Sequence, residues 1–254
     1  MNPIAINIII AVSAIILGYL IGSIPTGVII GKAFFHQDVR ELGSKNSGGT
    51  NVARTFGKKF GILVIALDMI KSIIPVFTIW AICTFVPEVV DAMNWAVPVG
   101  LVTIGGAKTY YWMAGFFAAV GHCWPVFIHF KGGKAVAVFM GLNCLTSWLQ
   151  FICCGFTYLI LAKKTNYISL TSIIVSGIGA LIGWILFSLS TFVPFNFDIF
   201  LWSFGATPFL TYGLEFALMV TGVTLLLVFR HASNIRRLKE GTEGKNPFNS
   251  PAKN

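Results

Sequence analysis

Apolar runs of about bilayer length organise this sequence. The stretches 4–30, 60–86, 110–130, 135–148, 149–162, 168–190 and 210–229 are rich in Ile, Leu, Val, Phe and Ala, and polar or turn-forming residues separate them. A helix needs about 20 apolar residues to cross a hydrocarbon core about 30 Å thick. Inside that core every backbone N–H and C=O must be satisfied within the protein, which leaves helices as the natural solution for such runs. Composition agrees: of 254 residues, 56% are hydrophobic and only 11% charged, against about 25% charged in soluble domains.

The expected fold class is therefore an all-α integral membrane protein with about seven transmembrane helices in one bundle. The division of 135–162 rests on the short "TSW" break, and 95–108 reads as a partial or interfacial helix, so five or six crossings stay open. Residues 1–254 are expected to form a single membrane-embedded domain, with about 240–254 a flexible tail. No Lys or Arg precedes Lys32. The first run thus lacks the basic n-region of a cleaved signal and is expected to remain. Five cysteines sit in apolar stretches without C-x-x-C spacing, which favours small buried hydrophobes over a metal site or disulfides.

Charge placement orients the bundle. With the N-terminus outside, one face collects Lys32, Arg40, Lys45, Arg54, Lys58, Lys59, Lys131, Lys134, Lys163, Lys164 and the cluster from Arg230 to Lys253. Lys71 falls within a helix and Lys108 on the far side, where the loops carry Glu88, Asp91, Asp198 and Glu215. The positive-inside rule makes the basic face and the C-terminus cytoplasmic. Asp68 and Lys71 share one face of the second run. Each costs about 2.5–3.5 kcal/mol near the bilayer centre, so they should pair and face protein, as a structural ion pair or as part of an ion path.

Three polar segments gather on the basic face. In "GSKNSGGTNVAR" (43–54), Gly48 and Gly49 permit close backbone approach to a ligand, Ser44, Asn46, Thr50 and Asn51 supply hydrogen-bonding groups, and Arg54 a planar fork suited to phosphate. In "GHCWPVFIHFKGGKAVA" (121–137), Lys131, Gly132, Gly133 and Lys134 directly precede a helix, an arrangement that suits an anion. In "RHASNIRRLKEGTE" (230–243), His231 and Asn234 share a face, and a neutral His231 could take a proton from a substrate hydroxyl. His36 and His129 read as interfacial, and His122 as a packing or supporting hydrogen-bond group. Topology alone accounts for basic loops, yet not for glycines placed repeatedly beside Asn, Thr and Ser. Phosphate is the ligand this chemistry fits.

Together with "GSIPTG" (22–27) and the run "ELGSKNSGGTNVARTFGKKFGILVIALDMIK", these segments resemble, in order and over nearly the whole chain, the bacterial membrane glycerol-3-phosphate acyltransferases that use acyl phosphate, the PlsY family. The resemblance implies transfer of a fatty acyl group from acyl phosphate to the sn-1 hydroxyl of glycerol 3-phosphate, giving lysophosphatidic acid and phosphate, the first acylation of phospholipid synthesis. It implies a bacterial cytoplasmic-membrane location with the site facing the cytoplasm, and no metal or cofactor. The implied partners are glycerol 3-phosphate, acyl phosphate and membrane lipid, with functional coupling to the enzyme that makes acyl phosphate and no nucleic acid. Carried over by position, Ser44, His231 and Asn234 are the catalytic candidates. Arg54, Asn46, Thr50, Asn51, Lys131, Gly132, Gly133 and Lys134 would bind phosphates. Glu243 falls in the third matching segment, and it, His122, Asp68 and Lys71 are expected in a supporting or purely structural role. The family commonly has proline and alanine where Ser47 and Gly49 stand, glycine at Ser72, and glycine and threonine at Ala135 and Val138. The first two differences are expected to loosen the loop.

Other functions fit less well. "GGKA" lacks the G-x-x-x-x-G-K-[ST] frame of a nucleotide-hydrolysing loop. The acyltransferase class marked by His and Asp five positions apart is not supported, because the positions five after the histidines are Glu41, Phe127, Lys134 and Arg236. A carrier of small phosphorylated or organic anions is the alternative from another class. It would place polar groups at the membrane midplane, where this chain offers little beyond Asp68 and Lys71. A structural scaffold would leave the glycine-amide segments without purpose.

Overall fold

The structure is a computed structural model and describes residues 2–94, 97–99, 102–104, 106–193, 203–204, 207–208 and 213–249. In chain order these form α1 (Pro3–Gly22), α2 (Thr26–Phe35), a 3-10 turn (Val39–Glu41), α3 (Gly49–Phe56), α4 (Lys58–Phe85), α5 (Pro87–Ala92), β1 (Val97–Val99), β2 (Val102–Ile104), α6 (Ala107–Cys123), a second 3-10 turn (Val126–Ile128), α7 (Val136–Thr146), α8 (Trp148–Thr165), α9 (Ile168–Phe192), β3 (Ser203–Phe204), β4 (Thr207–Pro208), α10 (Leu214–Arg230) and α11 (Ala232–Lys239). The strands make two antiparallel two-stranded ribbons, β1 with β2 and β3 with β4.

Small residues let the helices meet closely. A Cβ on Gly18 or Gly22 of α1 would stand 2.3 or 2.2 Å from the carbonyl oxygen of Ala114 or Ala118 on α6. Between helices in lipid, where no hydrophobic effect drives association, this backbone-to-backbone approach supplies the dispersion contact. Around the seam pack Val76, Trp112, Phe139, Leu142, Phe216 and Leu227, all buried. Ile8, Phe85, Phe156 and Leu225 are exposed on the outside of the bundle, as a lipid-facing surface requires.

Among the described residues, Pro3–Phe35, Lys58–Phe85, Ala107–Ile128 and Ile168–Phe192 are long and apolar enough to cross a membrane. A fifth span exists if α10 and α11, bent by 53°, are taken as one. The chain is thus a multi-pass membrane protein, but seven full crossings are not met. With eleven residues, α7 extends only about 16 Å at 1.5 Å per residue. It stops at Ser147, whose hydroxyl accepts the Gln150 N–H and starts α8. Asn143 of α7 and Gln150 of α8 are hydrogen-bonded inside the bundle, and α8 returns to the end from which α7 set out.

Three further expectations are corrected. The first crossing is broken at 23–25, because Pro25 lacks an N–H and disfavours a helical Ile24. The segment 95–108 is not a partial helix where it is described: its β-branched residues form the β1–β2 ribbon, and α6 begins at Ala107. Residues 240–249 are not a free tail. Asn246 is buried, donating its N–H to Asn166 O at 2.8 Å and its side chain to Ala162 O. The tail from 250 onward, with Lys253, and Asp198 in its loop lie outside the described residues.

Candidate active site

Residues 36–48 form a compact loop between α2 and α3. His36 ends α2 in the left-handed conformation, and Asp38 caps the following turn while pairing with Arg40 at 2.7 Å. Arg40 reaches on to Ile128 O at 3.0 Å, which ties this loop to the segment before α7. At the centre lies Asn51, 1% exposed. Its amide donates to the carbonyls of Val39, Leu42 and Asn46, and its oxygen accepts the Ser44 N–H at 2.7 Å. Asn51 borders the cavity described below, but its bonding capacity is spent on the loop, so its role is to hold Ser44 and Asn46 in place. Asn46 in turn accepts the Gly48 N–H. The hydroxyls of Ser44 and Thr50 remain free for a ligand.

Gly49, one of the two positions expected to loosen the loop, has no room for a side chain. A Cβ would be 2.5 Å from Ile65 Cγ1 and 2.6 Å from Gly61 O. The glycine tightens α3 against α4 instead of loosening the loop. At the other departures, Ser72 donates to Met69 O and lies against Gly141, and Val138 is fully buried.

The glycines of the second segment serve packing. A Cβ on Gly133 would overlap the His122 ring, 2.0 Å from Nε2, and one on Gly132 would be 2.2 Å from His122 O. The Gly133 N–H donates to that same carbonyl at 2.9 Å. Arg230 clamps the pair from outside, donating to Gly133 O at 3.1 Å and Gly132 O at 3.2 Å while lying over the Trp124 ring. Lys131, Gly132 and Gly133 do not line the cavity, whereas Lys134 does. The loop thus delivers one lysine, not a nest of two.

Lys134 donates to Asn234 Oδ1 at 2.6 Å. Burial pushes its ammonium down to about 8, opposed by the nearby Glu243 carboxylate. Asn234 Nδ2 donates to Glu243 Oε1 at 2.7 Å, which also accepts from Ser169, while Glu243 Oε2 pairs with Arg237 at 2.8 Å. Burial alone would raise Glu243, but these three donors hold it below the usual carboxylate range. His231 follows the last turn of α10, and its Nδ1 lies 2.8 Å from Leu227 O. A carbonyl only accepts, so Nδ1 carries the proton and Nε2 is left as an acceptor. Burial, then the Lys134 charge, push the imidazole down to about 4, which keeps it neutral.

These side chains surround one cavity of about 770 Å³. Its polar end is formed by Ser44, Thr50, Arg54, Lys134, His231 and Asn234. Its apolar end is formed by Ile65, Met69, Met140, Phe151, Gly155 and Leu159 of α4, α7 and α8. All three proposed catalytic residues therefore meet in one place, with Asn46 and Glu243 at the same rim. Asp68 and His122 border the cavity from below, and Lys71 pairs with Asp68 at 2.7 Å without reaching it. Sequence reasoning missed the Arg230 clamp on Gly132 and Gly133, and also Arg237 and the α8–α9 wall of Tyr158, Ser169 and Ser172, which line the cavity. Ser169 and Ser172, three apart in an apolar helix, were a signal for a polar face.

The arrangement can neutralise anionic groups at one end and hold an aliphatic chain at the other. A family model described as glycerol-3-phosphate acyltransferase matches residues 12–241. A protein of that description from Staphylococcus saprophyticus is 37% identical over 237 residues, covering 91% of this chain and 95% of its own. Another, from Enterococcus faecalis, is 33% identical over 240 residues, covering 94% and 93%. Among solved structures, the glycerol 3-phosphate form of PlsY, an integral membrane glycerol 3-phosphate acyltransferase, aligns with TM-score 0.69 at 28% identity, covering 92% of this chain and 94% of that one. The lysophosphatidic acid form aligns with the same score at 27% identity, covering 94% and 99%.

Proposed function

Since the chain belongs to the glycerol-3-phosphate acyltransferase family, as a membrane enzyme of the PlsY kind, we propose that it acylates the sn-1 hydroxyl of glycerol 3-phosphate using acyl phosphate. The products are lysophosphatidic acid and inorganic phosphate. The observation that carries this reading is the two-ended cavity, in which cationic and hydroxyl side chains adjoin an apolar limb between α4, α7 and α8.

Acyl phosphate is a mixed anhydride with a good leaving group, so alignment and charge neutralisation do most of the work. Arg54 and Lys134 meet the phosphates, while Ser44, Asn46 and Thr50 orient them. The sn-1 oxygen attacks the acyl carbonyl carbon. The new ester C–O bond forms, the anhydride C–O bond breaks, and phosphate departs with its electron pair. The hydroxyl proton passes to His231 Nε2 or to a substrate phosphate oxygen. An imidazole held at about 4 in the free site is a weaker base than a phosphate whose second pKa is about 6. His231 then serves first as the acceptor that aims the hydroxyl, and Asn234 keeps Lys134 beside it. The acyl chain runs along Met69, Met140 and Leu159.

The site faces the cytoplasm of a bacterial cell membrane in this reading, with the N-terminus outside and the chain forming one domain. Asn7 of α1 bonds to Ala92 O and Tyr110, at the end of the bundle away from the polar segments, and the basic loops all lie with the site. The α7–α8 hairpin enters and leaves on that side, so seven apolar segments keep the odd parity of five full crossings. A lipid-soluble, anhydride-activated donor also makes functional coupling to the enzyme that supplies it part of the proposal.

The test is acyl transfer by the purified protein in detergent, with labelled glycerol 3-phosphate and palmitoyl phosphate, palmitoyl-CoA or palmitoyl-carrier protein in parallel. Lysophosphatidic acid is expected from the acyl phosphate alone, and lost in Ser44→Ala and His231→Ala. Product from a thioester donor, or acylation at the sn-2 position, overturns the assignment.

A further inference from the structure

Beneath the cavity, one buried carboxylate touches the supports of both polar segments. Asp68, in the third turn of α4, is 1% exposed. Its Oδ1 accepts from Thr26 Oγ1 at 2.6 Å and from Lys71 Nζ at 2.7 Å, and faces His122 Nδ1 at 3.6 Å. Lys71 also donates to Ile24 O at 2.8 Å, in the break between α1 and α2. These partners lead to two different walls of the site.

The Thr26 and Lys71 arm fixes the start of α2. There Gly27 lies directly on the Ser47 carbonyl, with room for no Cβ, since one would be 2.0 Å from that oxygen. Ser47 belongs to the loop that presents Ser44, Asn46 and Thr50. The His122 arm fixes the other wall. The Gly133 N–H donates to the His122 carbonyl, and the His122 ring fills the space where a Gly133 side chain would be. The next residue is Lys134. Between the two arms is a void of about 10 Å³ bounded by Thr26, Ser47, Asp68, Lys71 and His122, the size of one water. His122 borders it, and His122 Nδ1 has no hydrogen-bond partner in the protein.

We infer that Asp68 is a positioning residue that holds the Ser44–Thr50 loop and the Gly133–Lys134 segment at a fixed spacing, so that two anionic substrates are bound in register. A buried ion pair retained only for stability is a poor explanation. Replacing such a pair by apolar residues is often neutral or stabilising, and α4 would insert more readily without it. Its placement between two ligand-bearing segments supplies the reason for its presence.

The inference rests on the two-phosphate reading above, and its test separates the two. Purified Thr26→Val, Asp68→Asn and the charge-neutral pair Asp68→Asn with Lys71→Met are compared with the unsubstituted protein. KM is measured separately for glycerol 3-phosphate and for palmitoyl phosphate, alongside the thermal unfolding midpoint. Thr26→Val removes a single hydrogen bond and keeps the measurement possible even where the carboxylate variants fail to fold. The expected result is a rise in both KM values, about tenfold for the loss of one bond to a charged group, with kcat less affected and the midpoint of Thr26→Val within a few degrees. Variants that unfold earlier yet keep both KM values, or that raise only one of them, overturn the positioning role. An unsubstituted protein that transfers no acyl group from acyl phosphate overturns the reading of the site instead.

Discussion

Lys134 Nζ lies 2.6 Å from Asn234 Oδ1, although the two residues are 100 positions apart. That bond brings the lysine of the second polar segment under the control of the third, and Asn234 passes the link to Glu243. Lys134, Asn234 and Glu243 therefore belong to one hydrogen-bonded unit.

The first consequence is an alkaline limit to activity. Burial lowers Lys134 to about 8, so the ammonium is present below that value and lost above it. The pH profile of kcat/KM for glycerol 3-phosphate should fall as pH rises through about 8, since this ratio reports the free enzyme. Lys134→Arg should move the fall to higher pH, because a guanidinium stays charged. Stability moves the other way. Between about 8 and the ordinary value of 10.5, the unfolded chain holds a proton the folded protein has lost, so stability rises with pH in that window. Lys134→Met should flatten this rise in thermal unfolding curves.

Glu243 supports the Lys134 charge and accepts from Asn234, Ser169 and Arg237. Glu243→Gln keeps the shape and removes the charge. The alkaline limb should then shift to lower pH, and kcat/KM at neutral pH should drop about tenfold, the scale of one weakened charge-assisted bond. An unchanged limb in the same titration would disconnect Glu243 from Lys134.

Two glycines of the cavity region should respond in opposite ways to a single methyl group. Gly133→Ala drives a Cβ into the buried His122 ring and should cost about 1–3 kcal/mol of stability by overpacking, with activity lost as Lys134 is displaced. Gly155→Ala meets nothing within 4 Å. It should leave glycerol 3-phosphate kinetics unchanged and raise stability slightly, since α8 gains a better helix former. Parallel melting curves and assays check both.

Asn51 and Thr50 are neighbours with different tasks. Asn51→Ala strands the Ser44 N–H and three carbonyls, at a cost of about 1–3 kcal/mol for a buried unsatisfied group. Both unfolding temperature and activity should fall. Thr50→Val removes only a free hydroxyl, so the unfolding temperature should hold while a substrate KM rises about tenfold, the scale of one bond to a charged group. Equal losses of stability in the two variants would contradict the division.

The three polar segments were readable because each departs from an oily background within a few residues. Ser44, Thr50, Arg54, Lys134, His231 and Asn234 were all named from such local contrast, and all meet in the cavity. Asn51 and the Gly132–Gly133 pair were named on the same grounds and turned out to hold the loops. Local composition cannot tell an amide that binds a ligand from one that binds its own backbone, nor a glycine that admits a phosphate from one that admits a histidine ring. Ser169 and Ser172 were passed over for the converse reason, since two hydroxyls in an apolar helix contrast too weakly with it.

Apolar length and charge asymmetry, properties of the chain itself, already determine that this protein lies in a membrane as a bundle with one basic face. They act through solvent transfer, residue by residue, and need no knowledge of neighbours. Tertiary structure alone decided that α7 turns back after eleven residues, that residues 240–249 lie against the α8–α9 corner, and that Asp68 joins two walls of one site. Those features depend on which backbones approach within a hydrogen bond of one another, and that is settled only when distant glycines and carbonyls are brought together by packing.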